Sequence, residues 1–558
     1  MRQIHTSAWL LAGLSSALQV LIFPKPDLYW LCWIAYAPLL VAVLRARGPE
    51  TLHVPESLVD GGQLVPARVG QGFLLAYVSG VIATAGTCYW IYHVMHRYGG
   101  LTGAESFGIV TLFCLYIGLH VGAFGTGVAL LAGARSLKRR GYHQRAALVT
   151  APFLWVGIEL FRDRVYGFPW DLLGTVQVNN IALSRIATIT GVYGISFEIM
   201  LVNTAFAAAF VARAQARRFL LAAATVAALV LQASMFIHPS AERGTHTARL
   251  VQQNIPIVET PAWSWDYFQK VMGDFRRQSL SQPAATPAGT GQLQAASPDV
   301  IVWPESPAPF FVNDQLFRDS ASQLARDANA YLIAGTLGVK PGTPQDLYNS
   351  AALITPHGDW AARYDKIHLV PFGEYVPFKW LFGFARSLTG AVGNFIPGTK
   401  RNVFDLGRYQ AGVFICYESI FPGEVRQFAA NGAQLFINIS NDGWFGESGA
   451  PGQHLNMARM RAVENHRWLL RSTNTGITAV IDPYGRIVAR APRNVRVTLD
   501  ASFGVVSGTT FYTRHGDWFA WLCAIICIAA LVAAGVQRWR MRQAPSPWFS
   551  SQGAVARR

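Results

Sequence analysis

Six cysteines occur in this chain, and Cys32, Cys88, Cys114, Cys523 and Cys527 all fall in apolar runs, where a thiol behaves as a small hydrophobe. Only Cys416 lies in the long polar-containing stretch between those runs. It has no partner there for an intradomain disulfide, and no CxxC or Cys/His ligand spacing points to zinc or another metal. Gly412-Val413-Phe414-Ile415 reads as an apolar strand ending in Cys416-Tyr417-Glu418-Ser419, just before a helix that starts near Pro422. A thiol near a helix N-terminus or a cation has its thiolate favoured and becomes a nucleophile. A thiol buried among apolar groups is inert, and this segment alone leaves both readings open. Glu418, two residues on, faces the same side if the strand period continues.

Two further polar sites follow apolar strands. In Trp303-Pro304-Glu305 the proline stops the ladder and turns the carboxylate out at the strand's end, where active sites of α/β sheets gather. In Tyr364-Asp365-Lys366-Ile367-His368-Leu369-Val370-Pro371-Phe372-Gly373-Glu374, a lysine and a glutamate sit among apolar residues and would be costly to bury without partners. Taken singly, Glu305 reads as a solvated loop carboxylate, Lys366 as a surface cation and His368 as a structural histidine. Together the three chemistries fit: Glu305 can take the thiol proton, Lys366 can hold negative charge, and Cys416 can attack a carbonyl.

These residues need a scaffold. Short β-branched runs at 248–252, 300–303, 331–334, 412–415 and 435–438 alternate with helical patterns, which predicts an α/β domain whose sheet is covered on both faces. Asp482-Pro483-Tyr484-Gly485 between two apolar runs predicts a hairpin. Gln282–Ser297, rich in Ala, Pro, Gly and Gln, reads as a surface insertion.

The rest of the chain is different in kind. With 51% hydrophobic and 14% charged residues and a positive mean hydropathy, a chain of 558 residues points towards a membrane. Apolar stretches at about 8–24, 28–44, 71–95, 107–133, 146–161, 187–212, 219–238 and 518–537 predict eight transmembrane helices. Arginines account for the net charge of +16, and they cluster at the ends of apolar runs rather than along one soluble face. That distribution argues against nucleic acid and for a topology signal. With the N-terminus cytoplasmic, the inside segments carry Arg45, Arg47 and Arg68, then Arg135, Lys138, Arg139, Arg140 and Arg145, then Arg213, Arg217 and Arg218, then Arg538, Arg540, Arg542, Arg557 and Arg558. The expected organisation is helices 1–7 within 1–238, an extracytoplasmic catalytic domain at 239–517, and helix 8 with a cytoplasmic tail at 518–558.

Glu, Lys and Cys in that chain order at strand ends resemble the nitrilase superfamily, whose domain is an αββα sandwich. With the flanking helices, the chain resembles the apolipoprotein N-acyltransferase family. The motifs that carry this are Phe168-Pro169-Trp170, Trp303-Pro304-Glu305-Ser306, Tyr364-Asp365-Lys366, His368 to Pro377, Cys416-Tyr417-Glu418, Ser440-Asn441-Asp442-Gly443-Trp444-Phe445-Gly446 and Arg461-Ala462-Val463-Glu464-Asn465. The resemblance implies Glu305 as general base, Cys416 as nucleophile, Lys366 as oxyanion stabiliser, and Glu374 and Glu418 as accessory carboxylates. It implies a multi-pass enzyme of the bacterial inner membrane with its catalytic domain periplasmic and no cofactor. It also implies ping-pong acyl transfer from a phospholipid, such as phosphatidylethanolamine, to the α-amine of a diacylglyceryl-cysteine apolipoprotein. A membrane-tethered nitrilase-type amide hydrolase is the main rival, and a transporter with an accessory domain the other. Few ionisable residues, chiefly Glu159 and Glu198, lie deep in the apolar runs, which disfavours a transporter.

The aromatic segment 378–386 beside the lysine motif, with Trp380, Phe382 and Phe384, reads as a lid that dips into the outer leaflet, and Trp444 joins it as a candidate lipid contact. Replacing Trp380, Phe382 and Phe384 with serine should slow acylation of Cys416 from bilayer lipid, followed by intact mass; an unchanged rate removes the lid.

Overall fold

The computed structural model describes residues 3–48, 64–133, 144–212, 214–240, 244–257, 264–281, 297–305, 310–375 and 395–543. Trp380, Phe382 and Phe384 lie outside the described residues, as does most of the 282–297 insertion.

Five described helices are long and apolar enough to cross a membrane, at Val69–Thr87, Gly103–Ala132, Val192–Val211, Ala216–Phe236 and Trp518–Arg540. The remaining apolar stretches form shorter or less apolar helices, including Thr6–Leu21 and Gln144–Phe161. The run expected at 28–44 is not one uninterrupted α-helix: a 3₁₀ turn at Tyr29–Trp33 precedes the α-helix Ala37–Leu44. Asn203 fills the break. Its Oδ1 accepts the backbone N–H of Tyr36 and Ala37 at 2.7 and 2.9 Å, and its Nδ2 donates to the Cys32 carbonyl at 2.7 Å. A backbone freed from its helix must find such partners where water is absent.

Helices 69–87 and 103–132 pack through small residues. A Cβ on Gly125 would lie 2.2 Å from the Gly72 carbonyl oxygen and 2.3 Å from the Ala76 Cβ, so no side chain fits between the two backbones. This is the close approach that glycines permit between membrane helices. Nearby, Ser16 Oγ donates to Ser79 Oγ at 3.0 Å, a polar tie between the first helix and this pair.

The catalytic domain holds strands β1 (His246–Gln252), β2 (Val300–Val302), β3 (Tyr331–Lys340), β4 (Thr343–Ile354), β5 (Trp360–Asp365), β6 (Val403–Asp405), β7 (Gln410–Ile415), β8 (Leu435–Ser440), β9 (Trp468–Thr473), β10 (Ala479–Ile481), β11 (Ile487–Arg490) and β12 (Val497–Phe503). They form two six-stranded sheets ordered β12-β1-β2-β3-β4-β5 and β11-β10-β9-β8-β7-β6. The central strands β1-β2-β3 and β7-β8-β9 are parallel. Every strand read from the sequence is present, and β10-β11 is the expected hairpin, its turn held by Asp482 Oδ1 accepting from the N–H of Tyr484 and Arg486.

Alternation along each strand explains the continuous apolar runs. On β2, Val300 and Val302 join the core between the sheets, whereas Ile301 joins the outer core under helices Trp265–Leu280 and Gln315–Ala328. Helices Pro422–Ala430 and Ala450–Asn465 cover the other sheet. The αββα sandwich follows. The carboxyl ends of the parallel strands then deliver Trp303-Pro304-Glu305, Cys416, Asn441 and Asn474 to one edge.

The helix pair supplies a test. Gly125→Leu should cost about 1–3 kcal/mol of stability, read as a fall in the thermal midpoint in detergent. Gly108→Leu on the same helix, where nothing lies within 4 Å of a Cβ, should leave the midpoint unchanged.

Candidate active site

Lys366 follows β5, and its ammonium is 1% exposed. Nζ lies 2.9 Å from Glu374 Oε2 and 3.4 Å from Glu305 Oε1. Burial works against its charge, but Glu374 and then Glu305 outweigh it and hold the lysine above its ordinary range. The carboxylates have further partners. Asn349 on β4 donates Nδ2 to Glu305 Oε1 and to Glu374 Oε1, both at 2.7 Å. The Asn441 N–H donates to Glu305 Oε2 at 2.9 Å, and the Val370 N–H to Glu374 Oε2 at 2.8 Å.

Cys416 ends β7 with φ at +49°, a left-handed conformation that costs a non-glycine residue energy. The strain turns the chain sharply from strand into the 3₁₀ segment Cys416–Ile420. Burial pushes the Cys416 thiol up, and Glu305 adds to this, while Lys366 pulls it down. The buried thiol thus favours its neutral form. Glu305 is the carboxylate whose charge the thiol feels most, and it already sits against the lysine.

Glu418 is wholly buried and grips backbone. Oε2 accepts from the Ile415 N–H at 2.7 Å; Oε1 accepts from Tyr364 Oη and the Ile367 N–H, each at 2.7 Å. Burial raises its pKa against these donors. Glu418 thus buckles the cysteine turn to the lysine turn, whereas Glu374 holds the ammonium itself. Trp444, in the 3₁₀ segment Asp442–Phe445, is half-buried and packs edge-on against Tyr98 at 5.4 Å, beside the membrane half. His368 bonds Glu424 at 3.1 Å and stacks on Phe421, away from the lysine.

Three residues escaped the sequence reading. Asn349 bridges two carboxylates from the middle of β4; His454 and Arg471 form a buried cluster with Asp442 beneath the cysteine turn. An asparagine, a histidine and an arginine inside regular elements carry no local mark of this. The Phe168-Pro169-Trp170 motif does reach the site: Trp170 Nε1 donates to Gln453 at 2.8 Å, and Phe168 packs near Tyr417.

Two family models match this architecture, the apolipoprotein N-acyltransferase N-terminal domain over residues 15–205 and carbon-nitrogen hydrolase over residues 247–504. A Geobacter metallireducens protein named apolipoprotein N-acyltransferase is 36% identical, with 94% of each chain covered. The chain belongs to the apolipoprotein N-acyltransferase family. Relatives of that name from Bradyrhizobium diazoefficiens and Shewanella oneidensis are 35% and 31% identical, covering 70% and 81% of this chain and 73% and 85% of theirs. For an N-acyltransferase family member, a carbon–nitrogen hydrolase domain is apt: both chemistries pass an acyl group through attack on a carbonyl.

Asn349→Leu keeps a similar volume but withdraws the donor shared by Glu305 and Glu374. If Glu305 takes the thiol proton, alkylation of Cys416 by a neutral electrophile at pH 7 should slow about 100-fold as Glu305 loses its place. A rate equal to wild type would show that Asn349 does not position Glu305.

Proposed function

We propose that this chain N-acylates the terminal diacylglyceryl-cysteine of apolipoproteins, drawing the acyl group from a membrane phospholipid through a thioester on Cys416. The observation that carries this is a buried site at the strand ends in which the Lys366 ammonium lies 3.4 Å from Glu305 and both charges bear on the Cys416 thiol, in a chain of the N-acyltransferase family.

In this reading Glu305 takes the Cys416 proton as sulfur attacks the ester carbonyl. Lys366 neutralises the oxyanion that forms. The intermediate collapses by breaking the ester C–O bond; Glu305 returns its proton to the leaving oxygen, and a lysophospholipid departs. The uncharged α-amine of the acceptor then attacks the thioester, Glu305 removes a proton from the attacking nitrogen, and the C–S bond breaks to give amide and thiol. Glu374 fixes the ammonium, and Glu418 fixes the two turns. Trp380, Phe382 and Phe384, with Trp444, are proposed to admit lipid from the leaflet.

The proposed topology has eight membrane helices, with 1–238 holding seven and 518–558 the last. It places 239–517 on the periplasmic face of the inner membrane. The arginine distribution supports it, as does the need for both lipid-anchored substrates to meet sulfur at an interface. Phosphatidylethanolamine is the proposed donor. A membrane-tethered amide hydrolase would use the same three residues but let water resolve the acyl-enzyme.

Intact mass after incubation with phospholipid tests the proposal. The wild type should gain one acyl mass and keep it until a diacylglyceryl-cysteine peptide is added; Cys416→Ser should gain none. Rapid loss of the adduct in water alone would favour the hydrolase, and no adduct would overturn the acyl-enzyme.

A further inference from the structure

Beneath the cysteine turn, His454 is wholly buried on helix Ala450–Asn465. Its Nε2 lies 3.0 Å from the Cys416 carbonyl oxygen. A carbonyl can only accept, so the contact requires a proton on Nε2. In that neutral tautomer Nδ1 is an acceptor and takes a hydrogen bond from Arg471 Nη2 at 3.0 Å; Arg471 also donates to Asp442 Oδ2 at 2.9 Å and so holds the carboxylate beside the ring, with Oδ1 3.0 Å from Nδ1. Ser440 Oγ donates to Asp442 Oδ1 at 2.7 Å. Asp442 and Arg471, with the Cys416 thiol beyond, are the titratable and charged groups that bear on the ring, and burial and then Arg471 disfavour its cationic form.

We propose that His454 is a positioning residue for the nucleophile, its Nε2–H clamping the carbonyl of the strained Cys416 so that sulfur stays aimed at Glu305 and Lys366. The turn is then held on both sides, because Glu418 grips the Ile415 N–H while His454 grips the Cys416 carbonyl. A left-handed, non-glycine residue relaxes unless its surroundings over-determine it. The clamp also carries the membrane half to the sulfur. Trp170, whose indole is tied to Gln453, stacks on the His454 ring at 5.8 Å with planes 22° apart. A bundle that shifts would move the ring, and through it the turn.

The inference rests on the acyl-enzyme reading, and wild-type adduct formation is the control that separates the two. Glutamine presents an amide N–H where Nε2 stands, whereas asparagine reaches only as far as Nδ1. His454→Gln should form the phospholipid-derived thioester within about threefold of wild type, and His454→Asn about 100-fold more slowly with an unchanged lipid KM. The second readout is the tautomer: solid-state nitrogen spectra of histidine-labelled wild-type enzyme, assigned against His454→Gln, should show Nε2 protonated from pH 6 to 8. Equal rates in the two variants, a glutamine variant that is inactive or does not fold, or a bare Nε2 would overturn the clamp. A wild type that forms no adduct would instead overturn the acyl-enzyme.

Discussion

A lysine ammonium with 1% exposure cannot be left alone in a protein interior. Stripping water from such an ion costs several kcal/mol, and only close opposite charge with well-aimed hydrogen bonds offsets it. Lys366 therefore requires Glu374 and Glu305 within 3.4 Å. Those carboxylates in turn require donors, which Asn349 and the backbone of Asn441 and Val370 supply. Each requirement recruits another strand: the lysine follows β5 and the first glutamate follows β2, the asparagine sits mid-way along β4, and the Asn441 amide follows β8. The two sheets must face each other in this register for the charges to be satisfied at all. A half-built cluster would be worse than an apolar core, so site and fold stand or fall together.

The same logic joins the two halves of the chain. Polar ties cross between them: Tyr417 Oη donates to the Gly167 carbonyl at 3.2 Å, Gln453 Nε2 to the Pro24 carbonyl at 2.7 Å, and the Val192 N–H to Glu464 Oε1 at 3.0 Å. Arg164 pairs with Asp517, joining the π-helical turn Arg162–Tyr166 to the start of the last helix. Around them Trp90, Met95 and Trp170 of the membrane half share one apolar cluster with Tyr417, Ile420 and Phe421 of the cysteine turn. For the proposed attack of Cys416 on lipid esters such docking matters, because the distance of the sulfur from the membrane half becomes a property of packed side chains rather than of a linker.

Much of this was legible in the sequence for identifiable reasons. Strands buried on both faces read as unbroken apolar runs, so β1, β2, β3, β7 and β8 were visible. Glu305, Lys366 and Cys416 stood out because each interrupts or ends an apolar segment. What stayed hidden depends on residues distant in the chain. Asn203 caps the break after Trp33, 171 positions from the Cys32 carbonyl that it also bonds. Asn349 faces Glu305 only once β4 pairs with β3 and β5, and Arg471 meets Asp442 only because β9 lies beside β8. Local pattern carries no trace of such pairs. Glu418 was visible as a carboxylate, but its work of tying two turns through backbone amides was not.

In the proposed reaction, the same site must pass through two tetrahedral intermediates with different leaving groups. Both place negative charge on the former carbonyl oxygen, so one fixed cation can serve both. Both need a proton moved between sulfur, an oxygen or nitrogen, and a base, and Glu305 stands beside the cation where it can do so. The triad therefore does not decide between amine and water as the second nucleophile. That choice falls to what surrounds the sulfur. Cys416 is only 7% exposed, and the adjoining Tyr417 and Phe421 belong to the apolar cluster shared with Trp170 and Phe168. In that reading a thioester on Cys416 forms beside apolar side chains at a site with little access to bulk water. For the proposed reaction, exclusion of water around Cys416, more than any feature of the triad, is what favours an amine over water as the second nucleophile.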